Sequence, residues 1–110
     1  MAMLERTLTG DFDEVLHKLH NAVLNGSASA SFENGNNYTM GDTHCAVRMY
    51  ERYSVMGGNR VALCLMLTGL GDELHLTAIT AGGSQAMFFK INTLGEDAFL
   101  DSLAQAIDTL

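Results

Sequence analysis

Asp13, His17 and His20 follow one another at i, i+4 and i+7, a spacing that puts a carboxylate and two imidazoles on one side of a helix. Three such groups could hold a metal ion weakly. A closed structural site takes four ligands, and no fourth is at hand on what reads as an outward face. A solvated helical stripe is the plainer reading, and no metal is expected. His44 follows Asp42 and Thr43 in a turn, and His75 lies near Thr77 on a strand. Neither forms a triad with Ser84, so hydrolytic chemistry is not expected. Cys45 and Cys64 are the two cysteines. The register inferred below faces Cys64 with Arg52, which sets the cysteines about 23 Å apart, at about 3.3 Å per residue, and on opposite faces. Neither a disulfide nor a shared metal is expected, and no cofactor is.

The stretch "TAGGSQAMFFK" (80–90) raises a separate question, because glycines beside a serine can cradle a phosphate or present a nucleophile. A phosphate loop normally leads into a helix, whose N-terminus helps to hold the anion. This stretch leads into a strand pattern, and a G-x-S-x-G elbow is absent. A hairpin turn at Gly82-Gly83 explains the glycines, pairing Ala78 with Met87, Leu76 with Phe89 and Leu74 with Ile91.

The elements that must position these residues follow from periodicity. Leu4, Arg6 and Leu8 alternate with Glu5, Thr7 and Thr9 as a short first strand. Asp11 and Glu14 have capping-box spacing. Phe12, Val15, Leu16, Leu19, Ala22 and Val23 form the apolar stripe of the helix they open. Asn25-Gly26 closes that helix, with glycine in the left-handed conformation. From Ser27 to Asn92 the period is two, as in antiparallel hairpins. A loop at Asn34-Gly35-Asn36 pairs Phe32 with Tyr38 and Ala30 with Met40. A loop at Gly57-Gly58-Asn59 pairs Val47 with Gly69, Met49 with Leu67 and Tyr53 with Leu63. A turn at Leu70-Gly71 pairs Leu67 with Leu74 and Leu65 with Leu76. Thr93 and Glu96 cap a last helix with Phe99, Leu100, Leu103, Ile107 and Leu110 as its stripe. The expected fold is α+β: a strand, a helix, about six antiparallel strands and a helix, both helices on one face of a curled sheet. That order resembles the helix-grip and TATA-binding-protein-like topologies, a likeness of topology that does not give function.

These registers put Val47, Met49, Leu63, Leu65, Leu67 and Leu74 beneath the helices. They put Arg48, Tyr50, Arg52, Met66, His75, Phe88 and Lys90 on the other, open face. Exposed apolar groups among cations suit a partner surface, or a groove for a small or acidic ligand. An ordinary sheet face, with long Arg and Lys stems covering apolar neighbours, is the plainer alternative. Glu51 falls on the core face opposite Leu65. It calls either for a bulge near Tyr50-Glu51-Arg52 or for a partner such as Arg6.

Composition bounds the rest. The chain has 110 residues, 47% of them hydrophobic, enough for one domain (1–110) and one core. The net charge of −7 disfavours nucleic acid and anionic membranes. The N-terminus reaches charge within its first residues and does not read as a signal peptide, so a cytoplasmic protein is expected.

The stretches "CAVRMYERYS" (45–54), "GGNRVALCLMLTG" (57–69) and "AITAGGSQAMFFKINTLGEDAFL" (78–100) resemble a family of small bacterial proteins known only as a domain of unknown function. The resemblance spans nearly the whole chain. It implies bacterial origin and supplies no catalytic residues. The expected role is non-catalytic: binding or self-association, as a homodimer, through the open sheet face. The alternative is a small-ligand carrier or enzyme with a cavity between the sheet and the C-terminal helix.

Overall fold

A computed structural model describes residues 1–26, 29–53, 60–82 and 103–108. Among these residues five strands form one antiparallel sheet: β1 (Ala2–Thr9), β2 (Ser31–Met40), β3 (Thr43–Tyr53), β4 (Arg60–Leu70) and β5 (Glu73–Gly82), in the order β1-β5-β4-β3-β2. One helix, α1 (Phe12–Asn25), follows β1, and residues 103–108 are helical. The fold is α+β. No helix among the described residues is long and apolar enough to cross a membrane.

Local sequence explains α1. Asp11 is its N-cap, and its side chain accepts a hydrogen bond from the Glu14 backbone N–H at 3.0 Å. Val15, Leu16, Leu19 and Val23 are buried, as the stripe requires. The helix ends differently from expectation: Gly26 has φ −75°, a right-handed conformation, and its N–H donates to the Ala22 carbonyl. Gly26 continues the right-handed turn, so no left-handed residue is needed at this position.

The sheet corrects several pairings. Asn34-Gly35-Asn36 is not a turn but lies within β2, which pairs with β3 over its length, with a register shift between Phe32 and Asn34. The turn is Gly41-Asp42, where Gly41 has φ +60°. His44 is therefore in β3 rather than in a turn. Gly71-Asp72 turns β4 into β5, with Gly71 at φ +61°. Leu67 then faces Leu76 and Leu65 faces Ala78, a slip of two residues that keeps both on the same face. Leu74, Leu76 and Ala78 pair on their other side with Leu8, Arg6 and Leu4 of β1. Both edges of β5 are thus occupied, and the edge that the Gly82-Gly83 hairpin would have used belongs to β1. Residues 83–102, which hold Ser84, Phe88, Lys90 and the cap expected at Thr93 and Glu96, lie outside the described residues.

The β3–β4 pairing differs by an odd number. Met49 faces Cys64, Tyr50 faces Leu63 and Glu51 faces Ala62. An odd slip moves every side chain of a strand to the opposite face. Ala46, Arg48, Tyr50 and Arg52 therefore lie on the helix side, and Val47, Met49 and Glu51 on the open side. Cys45 turns with them. Both cysteines share the open face, about 13 Å apart along the strands at about 3.3 Å per residue, too far for a disulfide.

The core lies between the helices and one face of the sheet. Leu19, Ala46, Tyr50, Val61, Leu63, Leu65, Leu67, Leu76 and Ala78 are fully buried there, joined by Leu103 and Ile107 of the helical segment 103–108. Gly69 leaves room for the Phe12 ring: a Cβ there would stand 2.8 Å from Phe12 Cδ2 and from Leu74 Cδ2.

Candidate functional site

α1 packs across β3 and β4, and its His20 ring meets Phe32 of β2. All ten residues of β2 are exposed. The space between helix and edge strand is an open groove of about 620 Å³, walled by Leu16, His17 and His20 of α1, Phe32 and Asn36 of β2, and Arg48 of β3. That volume suits a small molecule.

Cross-strand pairing builds the groove floor. One row across the helix face runs Thr80, Leu63, Tyr50 and Phe32, and the next runs Ala78, Leu65, Arg48 and Gly35. Each row passes from core to rim. Tyr50 stands where the core ends, fully buried. Its hydroxyl lies 2.8 Å from His20 Nδ1. Burial pushes the Tyr50 hydroxyl up to about 12, slightly offset by the Arg48 charge, so it stays protonated. With no other partner among the described residues, the hydroxyl donates to Nδ1 and leaves the neutral imidazole's proton on Nε2. Burial, then the charges of Arg48 and His17, hold His20 below the usual histidine range, which keeps it neutral. Phe32 closes this cluster, with ring centroids 5.5 Å from His20 and 5.8 Å from Tyr50. It is nonetheless 45% exposed and offers a ring surface to the groove.

Arg48 supplies the charge. Its Nη1 donates to the Val47 carbonyl at 2.9 Å and to the Asn36 carbonyl at 3.5 Å. Among the described residues it meets no carboxylate within ion-pair distance. Its stem crosses β2 at Gly35, where an added Cβ would stand 2.9 Å from Arg48 Cδ and 2.9 Å from the Val47 carbonyl oxygen. A glycine is required at this crossing because the backbone and the arginine stem already fill it. His17 Nε2 accepts from Asn21 Nδ2 at 3.1 Å.

The candidate site residues thus divide. Arg48, Tyr50 and Arg52 are not on the open face; Arg48 and Tyr50 build the groove, and Arg52 lies one pair farther along β3, opposite Val61. Met66 and His75 are on the open face as expected. His75 Nε2 lies 2.8 Å from Glu5 Oε2, so it is already paired. Glu51 needs no bulge and no buried partner: it is on the open face, 3.6 Å from Arg60. Asp13, His17 and His20 do share a helix face and meet at the groove. No group of three metal-ligating side chains forms among the described residues. Phe32, Asn36 and Gly35 were missed as site residues because the Asn-Gly pair reads locally as a turn. The signal available was the rival Gly41-Asp42 pair five residues on, which allows one long strand in place of a short hairpin.

The open face has its own pattern. Met3, Ile79, Cys64 and Met49 form one cross-strand row, and Glu5, Thr77, Met66 and Val47 the next. Met3 and Met66 are exposed. A smaller cavity, of about 300 Å³, lies where Leu8, Val15 and Ile107 meet. The charged pair at its mouth, Lys18 and Glu14, is bridged at 3.1 Å.

This chain belongs to the DUF6054 family, a family of unknown function whose model matches residues 1–110. No curated protein matches it significantly. The crystal structure of TTHA0849 from Thermus thermophilus is similar over 98% of this chain and 97% of that one, at 10% identity and a TM-score of 0.30, a likeness that carries no argument.

Proposed function

We propose that the protein is a non-catalytic module that binds a small molecule in the groove between α1 and the β2–β3 edge. One observation carries this reading: a charged guanidinium and an imidazole in contact with the Tyr50 hydroxyl converge on an open groove beside an exposed aromatic ring. Binding sites are commonly apolar clefts with a few such polar groups. The order of helices and sheet is in keeping with a helix-grip arrangement, in which ligand lies between helix and sheet. The test is a thermal-shift screen of the wild type beside His17→Trp, whose indole would fill the groove from the exposed helix side. Compounds that stabilise the wild type and not the variant support the reading. A screen in which no compound separates the two proteins overturns it.

A second reading, self-association through the open face, is favoured by the row Met3, Ile79, Cys64 and Met49. Contiguous exposed apolar surface of this kind often marks an interface. The cations expected to draw an acidic partner there do not favour it, since Arg48 and Arg52 are on the other face and His75 is paired. Light scattering behind size exclusion decides: a dimer dissociated by Ile79→Glu supports the interface, and a monomer in both cases excludes it.

A further inference from the structure

We infer that the ligand of this groove is a flat aromatic monocarboxylate, its ring against Phe32 and its carboxylate on Arg48 and His20. The inference rests on the binding reading above and adds the ligand's class.

The groove presents donors at its charged end. Among the described residues, only Nη1 of the Arg48 guanidinium is engaged, and by backbone carbonyls. The remaining N–H groups form the planar fork that matches a carboxylate in bidentate fashion. His20 adds a donor, because the Tyr50 hydroxyl occupies Nδ1 and the proton sits on Nε2. Among the described residues that line the groove, Asp13, on the first turn of α1, is the one anionic acceptor. Asp13 also sets the charge of the ligand. Arg48 is the one Lys or Arg lining the groove among the described residues and can meet one ligand charge, while Asp13 opposes a second. A phosphate dianion would bring a second charge against Asp13 with no further cation to meet it.

The other end is apolar and aromatic. Phe32 meets both His20 and Tyr50 in edge contacts, and Leu16 also lines the groove. A fixed, half-exposed ring favours an offset-stacked or edge-on aromatic partner over a flexible chain. Ring and guanidinium lie on adjacent cross-strand rows, Phe32 with Tyr50 and Gly35 with Arg48. Strand geometry puts adjacent rows on one face about 7 Å apart, the span of a bicyclic acid.

The experiment follows amide chemical shifts while naphthoate, naphthamide, octanoate and inorganic phosphate are titrated into wild type, Arg48→Gln, Arg48→Lys and Lys18→Gln. Naphthoate is expected to shift His20, Phe32, Asn36 and Arg48 saturably. Arg48→Gln should weaken it by about tenfold or more, Arg48→Lys by less, and Lys18→Gln not at all. Naphthamide should bind about tenfold more weakly and ignore the Arg48 substitutions. The inference is overturned, with the groove itself standing, if naphthamide equals naphthoate, if octanoate or phosphate binds more tightly, or if Arg48→Gln changes nothing. If none of the four probes moves the groove residues, both the ligand class and the binding reading fail. Arg48→Lys keeps the charge and stem, so the comparison survives even if Arg48→Gln folds poorly.

Discussion

Along β4, Leu63, Leu65 and Leu67 are fully buried, while Met66 between them is 41% exposed. The strand is apolar on both sides, yet among the described residues only one side is covered. On the helix face, Leu19 and Val23 of α1 and Leu103 of the last helical segment close over the leucines. On the open face, the apolar row from Met3 to Met49 has only water or a partner to meet among the described residues. The comparison teaches that side-chain type does not decide burial in this sheet; the neighbouring layer does. The same rule operates within the helix face. At β4 the helix covers the sheet and the residues are leucines. At β3 the cover thins, and Tyr50 and Arg48 take over, one with its hydroxyl satisfied by His20 and the other reaching over the exposed strand.

The sharpest way to break this contrast is to truncate one residue on each face. Leu65→Ala should cost about 2–5 kcal/mol, through lost burial and a residual cavity. Met66→Ala, its neighbour, should cost under about 1 kcal/mol. Urea unfolding measures both, and equal losses would mean that the open face is covered in solution. Next in size is Gly35→Ala. A methyl there meets Arg48 and the Val47 carbonyl, so it should destabilise by about 1–3 kcal/mol and displace the guanidinium. Naphthoate binding read by amide shifts, beside unfolding, checks both effects.

Smaller still is Tyr50→Phe, which deletes one buried hydroxyl and should cost about 1 kcal/mol. The same hydroxyl sharpens the contrast with pH. Its folded pKa is raised above the unfolded value near 10, so its contribution is whole below about pH 10 and is lost as pH rises through about 12. Wild-type stability should fall across that window more steeply than that of the variant. The smallest effect is acidic. His20 is depressed below its usual 6.5, so the folded protein resists its protonation. Stability should decline as pH falls below about 6.5, and His20→Gln should flatten that part of the curve measured by thermal melts.

Much of this was legible in the residues. The helix α1 carries its own start signal in Asp11 and Glu14 and its own buried stripe, and both are local. β1 and the core faces of β4 and β5 follow from alternation, and a slip of two residues did not disturb them. β3 did not follow. Val47 and Met49 are the more apolar set, and pairing them inward looked favourable, yet Ala46 and Tyr50 are the buried ones. Asn34-Gly35-Asn36 has the strongest turn chemistry in its region, yet it is strand.

What the sequence by itself determined is therefore the class of each segment and the presence of one helix-covered face, because caps, periodicity and turn glycines act over a few residues. What only the tertiary structure decided is the parity of β3, and with it the groove. A strand's two faces differ by a single residue of register, so weak local preferences cannot choose between them. The choice belongs to groups distant in sequence: the His20 imidazole that satisfies Tyr50, and the bare Gly35 backbone that lets Arg48 pass.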